Sequence, residues 1–249
     1  MRVVTGPERA VVIVPAFNEE ASVGAVVRAI VGLGLPVVVI DDGSTDGTGS
    51  VARSAGATVL TLPFNLGVGG ALRCGFRWAT QHGYTAAVQC DADGQHDPAE
   101  LQRLLATAIE RDDHLLIGSR FAGSDGFRST RLRRLPMRLL ARVASNAART
   151  TITDASSGYR VIREPLLSEF ARAYPVHYLG DTFEALVQAG RYGYRISEVP
   201  VVMRPRDSGV PSAGPTASLK FLVRVLAALL IGSSHRYRAF DGAPRAVGR

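Results

Sequence analysis

The chain has 249 residues, 46% of them hydrophobic, and a formal charge of +7 that rests on arginine, since Lys220 is the only lysine. That length and apolar content suit one large globular domain, or one domain with a C-terminal extension, and exclude a disordered chain. The basic balance admits nucleic acid, an anionic membrane surface or phosphorylated substrates; with no nucleic-acid motif in the sequence, the last two rank higher and no nucleic-acid partner is expected.

Residues 1–9 read as an N-terminal tail without the apolar run of a signal peptide. Apolar runs follow at Ala10–Val14, Pro36–Ile40, Ala57–Leu62, Thr85–Cys90 and Leu115–Gly118. They are nearly continuous in Val, Ile, Leu or Ala rather than alternating, which is how strands buried on both faces read. Between the first two, Val23, Val26, Val27, Ile30 and Val31 repeat at helical spacing, with Asn18 as the expected N-cap. Val68–His82 and Pro98–Glu110 also read as helices, the second opened by Pro98. Strand, helix and strand in repetition predict an α/β fold, a doubly wound and mostly parallel sheet flanked by helices.

Beyond Ser119 the pattern changes to an arginine-rich helical region, Arg128–Arg149, then Asp154–Arg160, a short mixed segment, a helix near Thr182–Ala189 and a strand at Ile196–Val199. A main α/β domain over 10–214 is therefore expected, with an amphipathic helix in 215–234 and a loose basic tail in 235–249. The apolar stretch Ala217–Gly232 is interrupted by Lys220 and Arg224 and, at 16 residues, is too short to span a bilayer. It packs on the core, against a second subunit in a homodimer, or flat on a membrane surface. Cys74 and Cys90 lack metal-ligand spacing and read as free thiols in a reducing compartment. The expectation is a cytoplasmic protein that touches the membrane face.

The segment richest in chemistry is Asp91-Ala92-Asp93-Gly94-Gln95-His96, two carboxylates at the carboxyl end of a strand, where open α/β sheets bind ligands. Two such acids repel unless a cation sits between them, and hard oxygen donors favour Mg²⁺ or Mn²⁺. A lone Asp-x-Asp is also a common surface turn. An EF-hand is excluded by the position of Gly94, and an aspartyl phosphatase by the want of a suitable lysine. Other strand ends carry Val14-Pro15-Ala16-Phe17-Asn18-Glu19-Glu20, then Asp41-Asp42-Gly43-Ser44-Thr45-Asp46-Gly47-Thr48, then Asn65-Leu66-Gly67-Val68-Gly69-Gly70, then Ile117-Gly118-Ser119-Arg120. Acids and glycines at successive strand ends line one rim of the sheet with polar groups, the place for a nucleotide.

This set of motifs resembles the family 2 glycosyltransferases with the GT-A fold, in particular the branch of dolichyl-phosphate mannose synthases and related polyprenyl-phosphate sugar transferases, from Val11 to Gly232. The resemblance implies that Pro15, Phe17 and Glu19 line the base and ribose pocket and that Asp41 or Asp42 bonds the base. An acceptor carboxylate suits the ring N–H of uracil or guanine. It implies that Asp91, Asp93 and Gln95 hold Mg²⁺ or Mn²⁺, with Asp91 and Ala92 beside the nucleotide. His96 is then either a Mn²⁺ ligand or a turn histidine bonded to backbone. Gly69 allows close approach of ligand, and Arg73 stands in for the lysine that many relatives carry where this chain has Val68.

On the acceptor side the resemblance assigns Arg120 to phosphate. Within the row Arg131, Arg134, Arg138 and Arg142 it singles out Arg134 for a lipid phosphate, although such a row is also an ordinary solvated face. Asp181 and Glu184 match the acids near the acceptor: Asp181 acts as general base toward a hydroxyl, or orients groups around a phosphate that is already ionised. Arg206 and Ser212 would close over the diphosphate, where Pro211 and Ser212 depart from the family's commoner pattern. The implied activity is inverting, metal-dependent transfer from a nucleoside-diphosphate sugar (UDP or GDP) to a polyprenyl phosphate. The runner-up acceptor is a hydroxyl of a soluble glycan, lipid or metabolite. A silent nucleotide-sugar binding protein is the alternative of another class, and the intact Asp91/Asp93 pair argues against it. A nicotinamide oxidoreductase or a nucleotidyltransferase would need a glycine-rich loop where Pro15–Glu20 stands.

Overall fold

The computed structural model describes residues 9–122, 131–176 and 181–204, with the backbone alone for 131–138. Seven strands form one sheet: β1 (Ala10–Ala16), β2 (Val37–Asp41), β3 (Thr58–Thr61), β4 (Ala86–Gln89), β5 (Leu115–Ser119), β6 (Arg160–Arg163) and β7 (Ile196–Pro200). Their order is β3-β2-β1-β4-β6-β5-β7. Pairing is parallel except at β6, which runs antiparallel to both β4 and β5.

The continuous apolar runs of the central strands follow from helices on both faces. Val11, Ile13, Val38 and Ile40 point to one side, where they meet Leu72 and Phe76 of α3 (Gly67–Gln81), Phe170 of α6 (Leu166–Ala173) and Leu186 of α7 (Asp181–Arg191). Val12, Val14, Val37 and Val39 point to the other, against Val23, Val27 and Ile30 of α1 (Glu20–Gly32) and Leu104 of α4 (Leu101–Glu110). Each such side chain contributes roughly 1.5–3 kcal/mol when buried, so the strand register is strongly fixed. Two further helices, α2 (Thr48–Ser54) and α5 (Arg131–Ala148), complete the described elements.

The six anticipated strands appear with ends within two residues of expectation. The mostly parallel sheet that was expected is the one observed, with β6 as its antiparallel member. This strand is only Arg160-Val161-Ile162-Arg163, too short for a pattern of its own, and it exists because β4 and β5 offer it an edge on each side. The short helices α2 and α6 also lacked a legible period. Asn18 is not an N-cap: its φ is +55° and its Oδ1 accepts the Thr45 N–H at 2.9 Å, while Glu19 precedes α1 without a side-chain cap. Pro98 opens a 3₁₀ turn ahead of α4, capped by the Asp97 carboxylate, which accepts the Ala99 N–H at 3.0 Å.

The reversal of β6 positions the site. Arg160, its first residue, lies opposite Gln89, the last of β4. The loop that enters β6, Asp154–Tyr159, therefore reaches the same rim at which β1, β2, β4 and β5 end. Among the described residues no helix is long and apolar enough to cross a membrane. The segment Ala217–Gly232 and the tail 235–249 lie outside the described residues.

Candidate active site

The loops after β1 and β2 are stitched into one wall. Asn18 N–H donates to Ser44 Oγ at 3.0 Å, Glu19 N–H to Thr48 Oγ1 at 2.8 Å, and Gly47 N–H to Glu20 Oε2 at 3.0 Å. Phe17 projects from this wall with 44% of its surface exposed, and Pro15 is half-buried beneath it. The Glu19 carboxylate accepts the Ser22 hydroxyl at 2.9 Å. Asp41 and Asp42 are both buried. Asp41 Oδ1 accepts the Ser44 N–H at 3.1 Å, and Asp42 Oδ1 accepts the Leu66 N–H at 2.7 Å. Burial pushes the Asp42 carboxyl up, the Leu66 and Gly67 amides pull it down, and neighbouring Asp41 raises it. Asp42 thus clamps the loop that leads into α3.

At the end of β4 the Asp93 carboxylate accepts the Gln95 N–H at 3.0 Å and closes a tight turn in which Gly94 has φ +78°. Ala92 is buried between the two acids. The Asp91 carboxylate lies against Gly158, where a β-carbon would stand 3.0 Å from both of its oxygens, a tight contact that glycine relieves. His96 is 3% exposed and stacks on Tyr159 with ring centroids 4.5 Å apart. Its Nδ1 accepts the Asp91 N–H at 3.0 Å, so of the two readings of His96 the backbone-bonded turn residue is the one observed.

Among the described residues no cluster of three or more His, Cys, Asp or Glu side chains could hold a metal. Two carboxylates on one turn with Gln95 beside them are too few for a zinc or calcium cage. They suit Mg²⁺ or Mn²⁺, which bind through one or two carboxylates and complete their shell with water and phosphate.

Arg120 is held in a bidentate pair with Asp154, Nε to Oδ2 and Nη2 to Oδ1 both at 2.7 Å, and also donates to Ser156 Oγ at 2.9 Å. The carboxylate holds the guanidinium in its charged form. Glu198 on β7 fixes the loop below, accepting the N–H groups of Thr153 at 2.6 Å and Asp154 at 2.9 Å. Arg160 is 1% exposed and donates to the carbonyls of Ser157, Ala155 and Thr182 at 2.8, 3.0 and 2.8 Å. Burial lowers its affinity for the proton, while Tyr174, Asp154 and Asp91 sustain it. Burial also pushes the Tyr174 hydroxyl up to about 12, with Arg160 opposing.

Through Thr182, Arg160 ties the rim loop to the start of α7 and so to Asp181. That carboxylate is 3% exposed and packed against the amino end of α3: a β-carbon on Gly69 would overlap both it and the Pro175 carbonyl. The bare backbone at Gly69 thus makes room for Asp181. Glu184 accepts from Gln188 within α7 at 3.1 Å. Arg73 donates to the Arg172 carbonyl at the end of α6. Arg134 lies on α5, where its side chain is not described, and Arg206 and Ser212 fall outside the described residues.

The fold therefore gathers the ends of β1, β2, β4 and β5, the loop into β6 and the start of α7 on one rim. The sequence marks Asp154–Arg160 as a segment without separate roles for Gly158 and Arg160, and Glu198 is not singled out in it. A charged residue inside the apolar run Ile196–Val199 was the available signal for Glu198, because a buried charge needs several partners.

The glycosyl transferase family 2 description matches residues 11–170. The chain belongs to this family. Among its relatives, the polyprenol monophosphomannose synthase of Mycolicibacterium smegmatis is 32% identical over 217 residues, covering 82% of this chain and 80% of that protein. The undecaprenyl-phosphate mannosyltransferase of Micrococcus luteus is 32% identical over 214 residues, covering 81% and 86%. In three dimensions the glucosyl-3-phosphoglycerate synthase of Mycobacterium tuberculosis, crystallised with Mn²⁺, UDP and phosphoglyceric acid, superposes with a TM-score of 0.68 at 22% identity, over 90% of this chain and 78% of that one. The family resemblance read from the motifs stands: this family 2 protein is a glycosyltransferase with the mixed α/β GT-A architecture.

Proposed function

We propose that this transferase moves a sugar, with inversion, from a nucleoside-diphosphate sugar to a polyprenyl phosphate and uses a divalent cation held by Asp91, Asp93 and Gln95. The burial of Asp181 carries the choice of acceptor. A hydroxyl acceptor needs a base within reach to take its proton. Asp181, the acid in that position, is instead packed against Gly69 and nearly inaccessible. A phosphate acceptor arrives ionised and needs no base, which leaves Asp181 to hold the amino end of α3 in place. The names of the two mycobacterial and micrococcal relatives, each pairing mannose with a polyprenyl lipid, support the same acceptor class.

In this reading Pro15, Phe17, Glu19 and Asp41 receive the base and ribose, and Asp42 shapes the loop beside them. Arg120, oriented by Asp154, meets a phosphate; Arg134, Arg206 and Ser212 are proposed for the acceptor phosphate and the diphosphate. A bound Mg²⁺ or Mn²⁺ supplies Lewis-acid stabilisation of the departing diphosphate. An oxygen of the acceptor phosphate attacks the anomeric carbon from the face opposite the diphosphate, whose bond to that carbon breaks; no proton moves. Residues 215–234 are proposed as an interfacial helix that brings the site to the lipid.

The test begins with thermal stabilisation by UDP-, GDP- and dTDP-sugars with Mn²⁺, since a ligand at 100 times its Kd adds about 2.7 kcal/mol. The stabilising donor is then offered to a short-chain polyprenyl phosphate and to hydroxyl acceptors, and the anomeric configuration of the product is read by NMR. Glycosylation of hydroxyl acceptors alone, a retained configuration, or full activity in EDTA each overturns the corresponding part of the reading. Asp181→Asn should lower the thermal midpoint while the folded enzyme still transfers to the polyprenyl phosphate; lost transfer with nucleotide binding and stability unchanged would return Asp181 to the chemistry.

A further inference from the structure

We infer that His96 is a positioning residue that aims the Asp91 carboxylate through a backbone hydrogen bond, an inference that rests on the proposed metal role of Asp91. The His96 side chain is buried and is held by its neighbours on both ring edges and one face. Its imidazole is stacked, at an interplanar angle of 11°, on the ring of Tyr159. Tyr159 is itself fully buried and anchored by its hydroxyl, which donates to the Asp97 carbonyl at 2.8 Å. On one edge of the imidazole, Nδ1 accepts the Asp91 N–H at 3.0 Å. On the other, Nε2 lies 3.6 Å from Asp91 Oδ2, an electrostatic contact beyond hydrogen-bond length.

An imidazole nitrogen that accepts a backbone N–H presents its lone pair, so the proton resides on Nε2. Neither nitrogen is then available to a cation: Nδ1 is occupied and Nε2 bears hydrogen. What His96 does is close the turn from Asp91 back onto itself. With its amide bonded across the turn, the Asp91 backbone is held at a fixed place beside Asp93, and its carboxylate starts from that place. Outer partners of metal-binding carboxylates commonly change metal affinity 10–100-fold, because they hold the donor where the cation needs it.

Three proteins separate this role from mere packing. His96→Phe keeps the stack on Tyr159 and removes the acceptor. His96→Asn loses most of the stack but places Oδ1 where Nδ1 stood, so the Asp91 N–H keeps its partner. Mn²⁺ binding is followed by electron paramagnetic resonance of the free ion, with saturating UDP or GDP, whichever stabilises the wild type. His96→Phe should weaken Mn²⁺ binding about 10-fold or more, and lower the thermal midpoint only by what an unpartnered Asp91 N–H costs. His96→Asn should stay within about threefold of wild type even where it melts earlier, a pattern opposite to that of a packing role. In the metal-free wild type, ¹⁵N shifts should show the proton of His96 on Nε2. Equal Mn²⁺ affinity in wild type and His96→Phe, no rescue by His96→Asn, or a proton on Nδ1 overturns the inference alone. Mn²⁺ bound by none of the three overturns the metal reading, and the inference with it.

Discussion

The two edges of the sheet carry similar residues and use them in opposite ways. At the edge where β5 and β7 begin, Asp112, Asp113, His114, Arg163, Arg195 and Ser197 are joined to one another. Arg195 pairs with Asp112, Arg163 donates to the Asp113 carbonyl at 3.0 Å, and Ser197 donates to the Asp113 carboxylate. At the edge where β1, β2 and β4 end, neither Asp41, Asp42 nor Asp91 is paired with an arginine among the described residues, and Asp41 and Asp42 accept from backbone amides instead. A cluster of charges is thus no guide to a site. Arginine partners neutralise acids and close an edge, whereas amide partners fix acids in place and leave their charge for a cation or a polar ligand to meet.

The largest effect is expected where that contrast is removed at the open edge. Asp93→Asn keeps the shape of the turn and lowers the charge, so transfer should fall about 10²–10³-fold, in line with the loss of one electrostatic stabiliser of a transition state. The thermal midpoint should stay within a few degrees of wild type, and the Mn²⁺ dependence of donor binding should disappear. A wild-type rate would show that the open edge is not the metal site.

The closed edge should respond to pH instead. Burial, aided by the nearby Arg195 cation, lowers His114 from 6.5 to about 4, and its Nδ1 accepts the Arg195 N–H at 3.0 Å. The folded imidazole stays neutral while the unfolded one charges. Between pH 6.5 and 4 the unfolded chain therefore binds more protons, and stability falls as pH is lowered through that window, by up to about 3 kcal/mol. His114→Asn preserves the acceptor and removes the titration, so urea unfolding from pH 7 to 4 should show a flatter acid limb. An unchanged limb would place the acid sensitivity elsewhere.

Asp42→Ala tests the link between the two nucleotide loops. Loss of the partner for Leu66 N–H should cost about 1–3 kcal/mol and weaken donor binding, both measurable by thermal shift with and without ligand. Weaker donor binding at unchanged stability would assign Asp42 to the base itself. The smallest effect is expected at Asp112, whose side chain is 72% exposed. Asp112→Ala should change stability by about 0.2–1 kcal/mol, less at high salt, and leave transfer unaltered. A transfer defect there would mean that the two edges are coupled.

Much of this was legible without coordinates because it is local. Continuous Val/Ile/Leu runs announce strands buried on both faces, and acids with glycines directly after such runs announce a ligand-binding rim. The sequence therefore determined six of the seven strands, the helices α1, α3, α4, α5 and α7, the family, and the Asp91/Asp93 pair. What it could not convey is whatever depends on a partner far along the chain. β6 becomes a strand only between β4 and β5. Gly69 makes room for the Asp181 carboxylate and Gly158 eases the approach of Asp91, partners separated from them by 112 and 67 residues. Nor does the sequence show that the Arg73 guanidinium engages the Arg172 carbonyl or that Arg120 is oriented by the Asp154 carboxylate. Which acids remain open and which are neutralised was decided by the tertiary structure alone. A charged side chain's partner is fixed by where the fold brings another chain segment, and no local pattern carries that information.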